Sequence, residues 1–260
     1  MQSYIVEKIR QDWSPEQIAA RLEMDYPDAA AMQISHESIY NFVYVRCKGE
    51  LRKELIRHLR QEKRKRGLPR KVPGGNKRGS IPNAVSIHDR PAEVAERQEV
   101  GHWEGDLVIG KDHQSGIATL CERTMRLTLI MPLKGLDAES VHQAMEERFS
   151  QLPAVVRKSM TYDRGKEMSQ HEALTANTQV KVYFCDPHSP WQKGSIENTN
   201  GLIRQYFPKG TDFSTVTKEE LDFAENRLNN RPRRILEWKT PLEVAEQTLV
   251  NLVIKIIGQN

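Results

Sequence analysis

Three carboxylates stand out by type and setting: Asp106, Asp163 and Glu197. Asp106 lies inside the apolar run Trp103–Ile109, where an unpaired charge is costly to bury. Asp163 closes Met160-Thr-Tyr-Asp beside Gly165, and Glu197 follows the next apolar stretch. Clustered carboxylates repel and stay ionised together only around a compensating cation. Mg²⁺ takes oxygen ligands and keeps waters or substrate phosphates in its remaining positions. Two such ions about 4 Å apart can activate a water or a 3′-hydroxyl and stabilise the leaving oxygen in phosphoryl transfer. Divalent-metal-assisted phosphoryl transfer is therefore the chemistry open to these residues. Plainer readings exist: Asp106 as a strand-edge carboxylate bonded to a neighbour, and Asp163 as a turn residue in Asp-Arg-Gly.

Lys193, Glu197, Asn200 and Arg204 fall at helical spacing i, i+4, i+7 and i+11 and so share one face. Ile196, Ile203 and Phe207 form another stripe, facing the core. A carboxylate flanked by cations and an amide suits a metal ion with phosphates alongside. A solvated face with ordinary i,i+4 ion pairs would show the same pattern.

These groups need a frame. His102–Ile109, Ile117–Glu122 and Leu127–Pro132 read as three strands at hairpin spacing. A helix is expected from Asp137 to Phe149, a strand at Met160–Asp163, a helix near Gln170–Asn177 and a strand at Val180–Cys185. Helices follow at Trp191–Tyr206 and Lys218–Asn230. The order βββ-α-β-α-β-α-α predicts an α/β domain, a mixed five-stranded sheet with helices on its faces. If its first and fourth strands are neighbours, the three carboxylates converge at one edge.

Ahead of this lies a helical region. Ser14-Pro-Glu-Gln has the form of a capped helix start, and Ser35 opens a second short helix. Two short helices joined by a turn suit a helix-turn-helix. Ser35, His36, Ser38 and Asn41 would then approach base edges, although an ordinary helical hairpin reads the same way. Residues 46–80 carry 14 Lys and Arg against 3 Asp and Glu, in a chain whose net charge is only +4. Such a focused positive stretch points to a polyanion, above all nucleic acid. Arg64, Arg66, Lys77 and Arg78 are its candidate phosphate contacts, within a charged helix over Leu51–Arg66 and a Gly- and Pro-rich linker. The expected domains are 1–45 helix-turn-helix, 46–95 basic helix and linker, 96–245 catalytic core and 246–260 tail.

The composition, 38% apolar and 28% charged over 260 residues, is that of a globular protein. No apolar run reaches membrane-spanning length, and the N-terminus lacks the apolar segment of an export signal. Cys47, Cys121 and Cys185 lie far apart, which argues against a disulfide framework or a paired-cysteine zinc site.

Three blocks carry a resemblance: His102-Trp-Glu-Gly-Asp106-Leu-Val-Ile-Gly, Thr161-Tyr-Asp163-Arg-Gly-Lys-Glu, and Ser189-Pro-Trp-Gln-Lys-Gly-Ser-Ile-Glu197 running on to Gly210. With 33 residues between Asp163 and Glu197, and Arg204 seven residues later, the chain resembles bacterial transposases of the insertion-sequence-thirty family. These belong to the DDE transposases and retroviral-type integrases. Trp13-Ser-Pro-Glu-Gln-Ile-Ala and Ser35-His-Glu-Ser-Ile-Tyr resemble the family's second helix-turn-helix region.

The resemblance implies an RNase H-like core, with Asp106, Asp163 and Glu197 as metal ligands for Mg²⁺ or Mn²⁺, two ions in all. It implies cleavage of double-stranded DNA at terminal inverted repeats and joining of the 3′-OH to target DNA. Lys193, Asn200 and Arg204 would contact DNA. A homo-oligomer and a cytoplasmic, nucleoid-associated setting follow by the same analogy. Family members carry a further helix-turn-helix region upstream, so an N-terminally shortened chain is expected, and the tail from Leu249 has no counterpart in the family pattern. The alternatives are a non-catalytic DNA-binding remnant or repressor, and an RNase H-type nuclease acting on RNA–DNA hybrids.

Overall fold

The structure, a computed structural model, describes residues 1–59 and 81–257, with side chains through residue 251. Its contacts divide into two units, Met1–Pro73 with Asn230–Asn260, and Gly74–Asn229.

In the first unit, α1 (Gln2–Arg10), α2 (Pro15–Asp25), α3 (His36–Asn41) and α4 (Gly49–His58) bury Ile5, Ile9, Ile18, Leu22, Ile39 and Leu55 in one cluster. The expected capping box begins α2: Gln17 N donates to Ser14 Oγ at 3.2 Å, and Ser14 N donates to Gln17 Oε1 at 2.8 Å. Ser35 caps α3 in the same way, accepting from Ser38 N at 3.2 Å. The chain's last helix, Pro241–Ile257, falls in this unit. Trp13 Nε1 donates to Asn230 O at 3.1 Å, Gln17 Nε2 to Pro232 O at 2.6 Å, and Arg21 pairs with Glu243 at 2.8 Å. The sequence reading ran the core through residue 245. The contacts instead group everything from Asn230 onward with the N-terminal helices, through these directional bonds. Arg64, Arg66, Lys77 and Arg78, with most of the basic run, lie outside the described residues.

The second unit opens with a short helix, α5 (Ala92–Glu96), and then follows the expected order. β1 (His102–Ile109), β2 (Gly116–Glu122) and β3 (Thr128–Pro132) form an antiparallel meander. Next come α6 (Ala138–Ser150), β4 (Ser159–Tyr162), α7 (His171–Thr178) and β5 (Lys181–Phe184). α8 (Gly194–Ile203) and α9 (Lys218–Asn229) complete it. The sheet order is β3-β2-β1-β4-β5, with β4 parallel to both β1 and β5. This is the mixed, RNase H-like five-stranded sheet.

Strand alternation sorts the two faces. Trp103, Leu120, Met160 and Phe184 pack with Val141, Met145 and Phe149 of α6 and Leu174 of α7. Val108, Ile117 and Ile130 pack on the other face with Leu202 and Ile203 of α8 and Leu221 and Leu228 of α9. Glu104 and Asp106 share the strand parity of Val108 and therefore point toward α8. Gly105 has the opposite parity, where the Tyr162 ring presses on the strand; a Cβ there would sit 2.7 Å from Tyr162 Cδ2.

At the start of β1, His102 is buried, its Nδ1 2.8 Å from Ser159 Oγ and its Nε2 3.2 Å from Glu99 Oε2. Burial pushes this imidazole below its usual value, against the pull of Glu99. The folded state therefore resists the proton that the unfolded chain takes up below about pH 6.5. Stability is then lost as pH falls through that value toward the lower folded-state value. The expected result in urea titrations at pH 7 and pH 5.5 is that His102→Gln loses less stability between the two than the native chain. An equal loss would remove His102 from the account.

Candidate active site

Parallel pairing of β1 with β4 brings the two aspartates together. Glu104 pairs with Thr161 in register, and two residues further along each strand stand Asp106 and Asp163. Asp106 lies on the face of β1 that meets α8, and Asp163 directly follows the C-terminal end of β4, near the strand ends where α/β sheets usually hold their sites. Between them sits the Lys193 ammonium, 3.3 Å from Asp106 Oδ1, 3.9 Å from Asp163 Oδ2 and 3.3 Å from Gly105 O. Lys193 is only 5% exposed, and its Nζ lies over the Tyr162 ring at 5.2 Å. Asn200 Nδ2 donates to Asp106 Oδ2 at 2.8 Å, and Thr119 Oγ1 lies 2.9 Å from Asn200 Oδ1.

The electrostatics fit a cation site. Burial pushes the Asp106 carboxyl above the usual carboxylate range; Asp163 adds to this and Lys193 opposes it. Glu167, which spacing did not single out, belongs to the same field. Burial raises its carboxyl, with Asp163 and Asp106 adding. Asp163 Oδ1 is buried with no hydrogen-bond partner. An unpartnered carboxylate oxygen beside a second carboxylate is a donor set suited to a hard divalent ion. Among the described residues, no three His, Cys, Asp or Glu side chains are drawn together as a preformed metal cluster. Glu197 lies in the first turn of α8 and is exposed.

The single helical face expected for Lys193, Glu197, Asn200 and Arg204 is divided. Lys193 stands at the N-cap position, just before α8, and turns inward. Asn200 is spent on Asp106. Arg204 ends the helix, donating from Nη2 to Ile109 O at 2.6 Å and so tying α8 to the end of β1. The physical reason is the half-buried charge on Asp106, which attracts the nearest cation and amide donor away from solvent.

On α3 of the other unit, Ser35, His36, Ser38 and Asn41 are all exposed. Ser35 Oγ serves the helix cap and His36 lies 3.4 Å from Glu37. Beside them, Tyr40 and Tyr44 stack at 6.3 Å on the same exposed surface.

Sequence reasoning passed over one further group. Glu104 is fully buried and accepts from Ser195 N at 2.8 Å and Ile196 N at 3.0 Å, while Arg123 pairs with its other oxygen. The available signal was its spacing, two residues before Asp106 on the same strand face.

Residues 96–190 match the family "Integrase core domain". The chain is 49% identical over 241 residues to the transposase for insertion sequence element IS1086 of Cupriavidus metallidurans, covering 93% of this chain and 70% of that protein. It is 46% identical over 249 residues to transposase InsI for IS30C of Escherichia coli K12, covering 95% of this chain and 64% of that protein. For the transposase of IS4351 from Bacteroides fragilis the identity is 38% over 251 residues, covering 96% and 74%. Among solved structures, the catalytic core domain of BIV integrase aligns with a TM-score of 0.47 at 16% identity, over 59% of this chain and 98% of that one.

Proposed function

The chain belongs to the IS30 family of insertion-sequence transposases, and on that premise we propose that its sheet unit cuts and joins DNA strands by divalent-metal-dependent phosphoryl transfer. The observation that supports this best is the pair Asp106 and Asp163 on neighbouring parallel strands, sharing one buried cation with an unpartnered oxygen to spare.

In this reading Asp106, Asp163 and Glu197 would hold Mg²⁺ or Mn²⁺, which when bound would supply charge stabilisation for the attacking and leaving oxygens. Asn200 and Lys193 orient the Asp106 carboxylate, and the Lys193 charge opposes the burial that raises its pKa. Arg204 and the walls of β1 fix the end of α8, so the carboxylates keep their spacing. Ser35, His36, Ser38 and Asn41, with the stacked Tyr40 and Tyr44, present a polar and aromatic surface suited to the DNA major groove. Bridging two DNA ends calls for at least two copies of the chain.

The test is a nicking and strand-joining assay on duplex DNA carrying the sequence that flanks the gene, with Mg²⁺ or Mn²⁺. The native chain is expected to cut, and Asp163→Asn to bind the same DNA without cutting. Cleavage by Asp163→Asn would remove this residue from the chemistry. DNA binding by the folded native chain without cleavage would support the remnant reading instead.

A further inference from the structure

Helix α8 carries Glu197 and Asn200, yet it begins without a cap of its own. Its N-cap residue is Lys193, whose side chain has no acceptor and makes no capping bond. The first N–H groups of a helix have no partner within it, and those at the second and third positions are the ones a capping side chain satisfies. In α8 these belong to Ser195 and Ile196. Both donate to one oxygen, Oε2 of Glu104, at 2.8 and 3.0 Å.

We infer that Glu104 is the N-cap of this helix, supplied from the neighbouring strand, and that it acts as a positioning residue for the reaction proposed above. The arrangement divides the labour. A cap from β1 frees the residue at the N-cap position to be a lysine and to reach Asp106 and Asp163. It also locks the first turn of α8 to the strand that bears Asp106, two residues away on the same face. Asn200 then meets Asp106, and Glu197 is held one residue beyond the captured amides. Apolar packing cannot do this, because it is not directional. A fully buried carboxylate is a costly way to dock a helix, and its Arg123 partner offsets only part of that cost. Arg123 is itself anchored to α5, with Nε donating to Val94 O at 3.3 Å. The positive end of the α8 dipole favours the same carboxylate.

The inference rests on the transposase reading, but one arm of its test does not. Two double variants separate the cap from the ion pair. Glu104→Met with Arg123→Met removes both charges and the acceptor at nearly constant volume. Glu104→Gln with Arg123→Met also removes both charges but restores a carbonyl for the two amides. Two readouts are taken on the full chain: hydrogen exchange at Ser195 and Ile196, and nicking rate against DNA affinity on the flanking-DNA duplex.

In the Met/Met variant the two amides are expected to exchange about tenfold faster, and nicking to slow about tenfold or more with DNA affinity unchanged. The Gln/Met variant is expected to recover both. Equal behaviour of the two variants would reduce Glu104 to an ordinary buried ion pair and overturn the inference. If Met/Met does not fold, native-like exchange and nicking in Gln/Met still support the cap over the pair, and their loss in a folded Gln/Met protein overturns it. A native chain that fails to nick defeats the function proposed above, while the exchange comparison still decides the role of Glu104.

Discussion

Asp106→Asn is expected to abolish metal-dependent cleavage while leaving the fold and DNA binding intact. If Asp106 holds the metal ion as proposed, the loss should be about a thousandfold or more, because removing that charge would forfeit several kcal/mol of transition-state stabilisation. The fold is expected to survive for a specific reason. In the native site Lys193 donates to Oδ1 and Asn200 Nδ2 donates to Oδ2. An asparagine amide at position 106 would set a donor against a donor. Thr119 lies 2.9 Å from Asn200 Oδ1 and 3.1 Å from Asp106 O, and its single hydroxyl proton can serve only one of them. Flipping the Asn200 amide presents its carbonyl to the new Nδ2. Thr119 then donates to the backbone carbonyl and accepts from Asn200, so each hydrogen bond is kept, and Asp163 at 3.9 Å remains the counter-charge of the Lys193 ammonium. Melting within a few degrees of the native chain, with cleavage gone, is the expected pair of measurements. Near-native cleavage would place the reaction elsewhere.

Lys193→Met carries the largest expected effect on stability. It removes the buried ammonium between Asp106 and Asp163 and leaves two carboxylates facing each other. Breaking one side of a buried pair typically costs about 3–5 kcal/mol. Asp163 is 41% exposed and screened by solvent, which brings the expectation to the lower end, about 3 kcal/mol. The same change removes the cation that competes with a metal ion for these oxygens. Added Mn²⁺ should therefore raise the melting temperature of the variant more than that of the native chain, as expected when a ligand binds only the folded state more tightly. Thermal melts with and without Mn²⁺ measure both effects. An unchanged metal-free melting temperature would mean that the ammonium does not hold the two carboxylates together.

Much of the architecture was legible in the chain before any contact was known. Short apolar runs at hairpin spacing marked the first three strands, and the three-strand meander followed by helix–strand alternation allowed few sheets. The capping box at Ser14 was readable because it is local, four residues long and made by side chains of fixed chemistry. The acidic residues stood out in the sequence by their setting and spacing, and the parallel pairing of β1 with β4, only a condition at that level, puts Asp106 and Asp163 on either side of Lys193.

What sequence could not supply was the direction in which individual side chains turn. Helical spacing put Lys193, Glu197, Asn200 and Arg204 on one face, but Lys193 precedes the helix and folds inward to the two half-buried aspartates, while Glu197 remains exposed. Glu104 read as one more acidic residue until its strand met the start of α8. Asn230 onward read as the end of the core, yet its bonds run to Trp13, Gln17 and Arg21. Periodicity and caps are local properties that a few residues settle by themselves. Which buried charge meets which donor depends on groups dozens to hundreds of residues apart, and only the tertiary structure brings those within hydrogen-bonding distance.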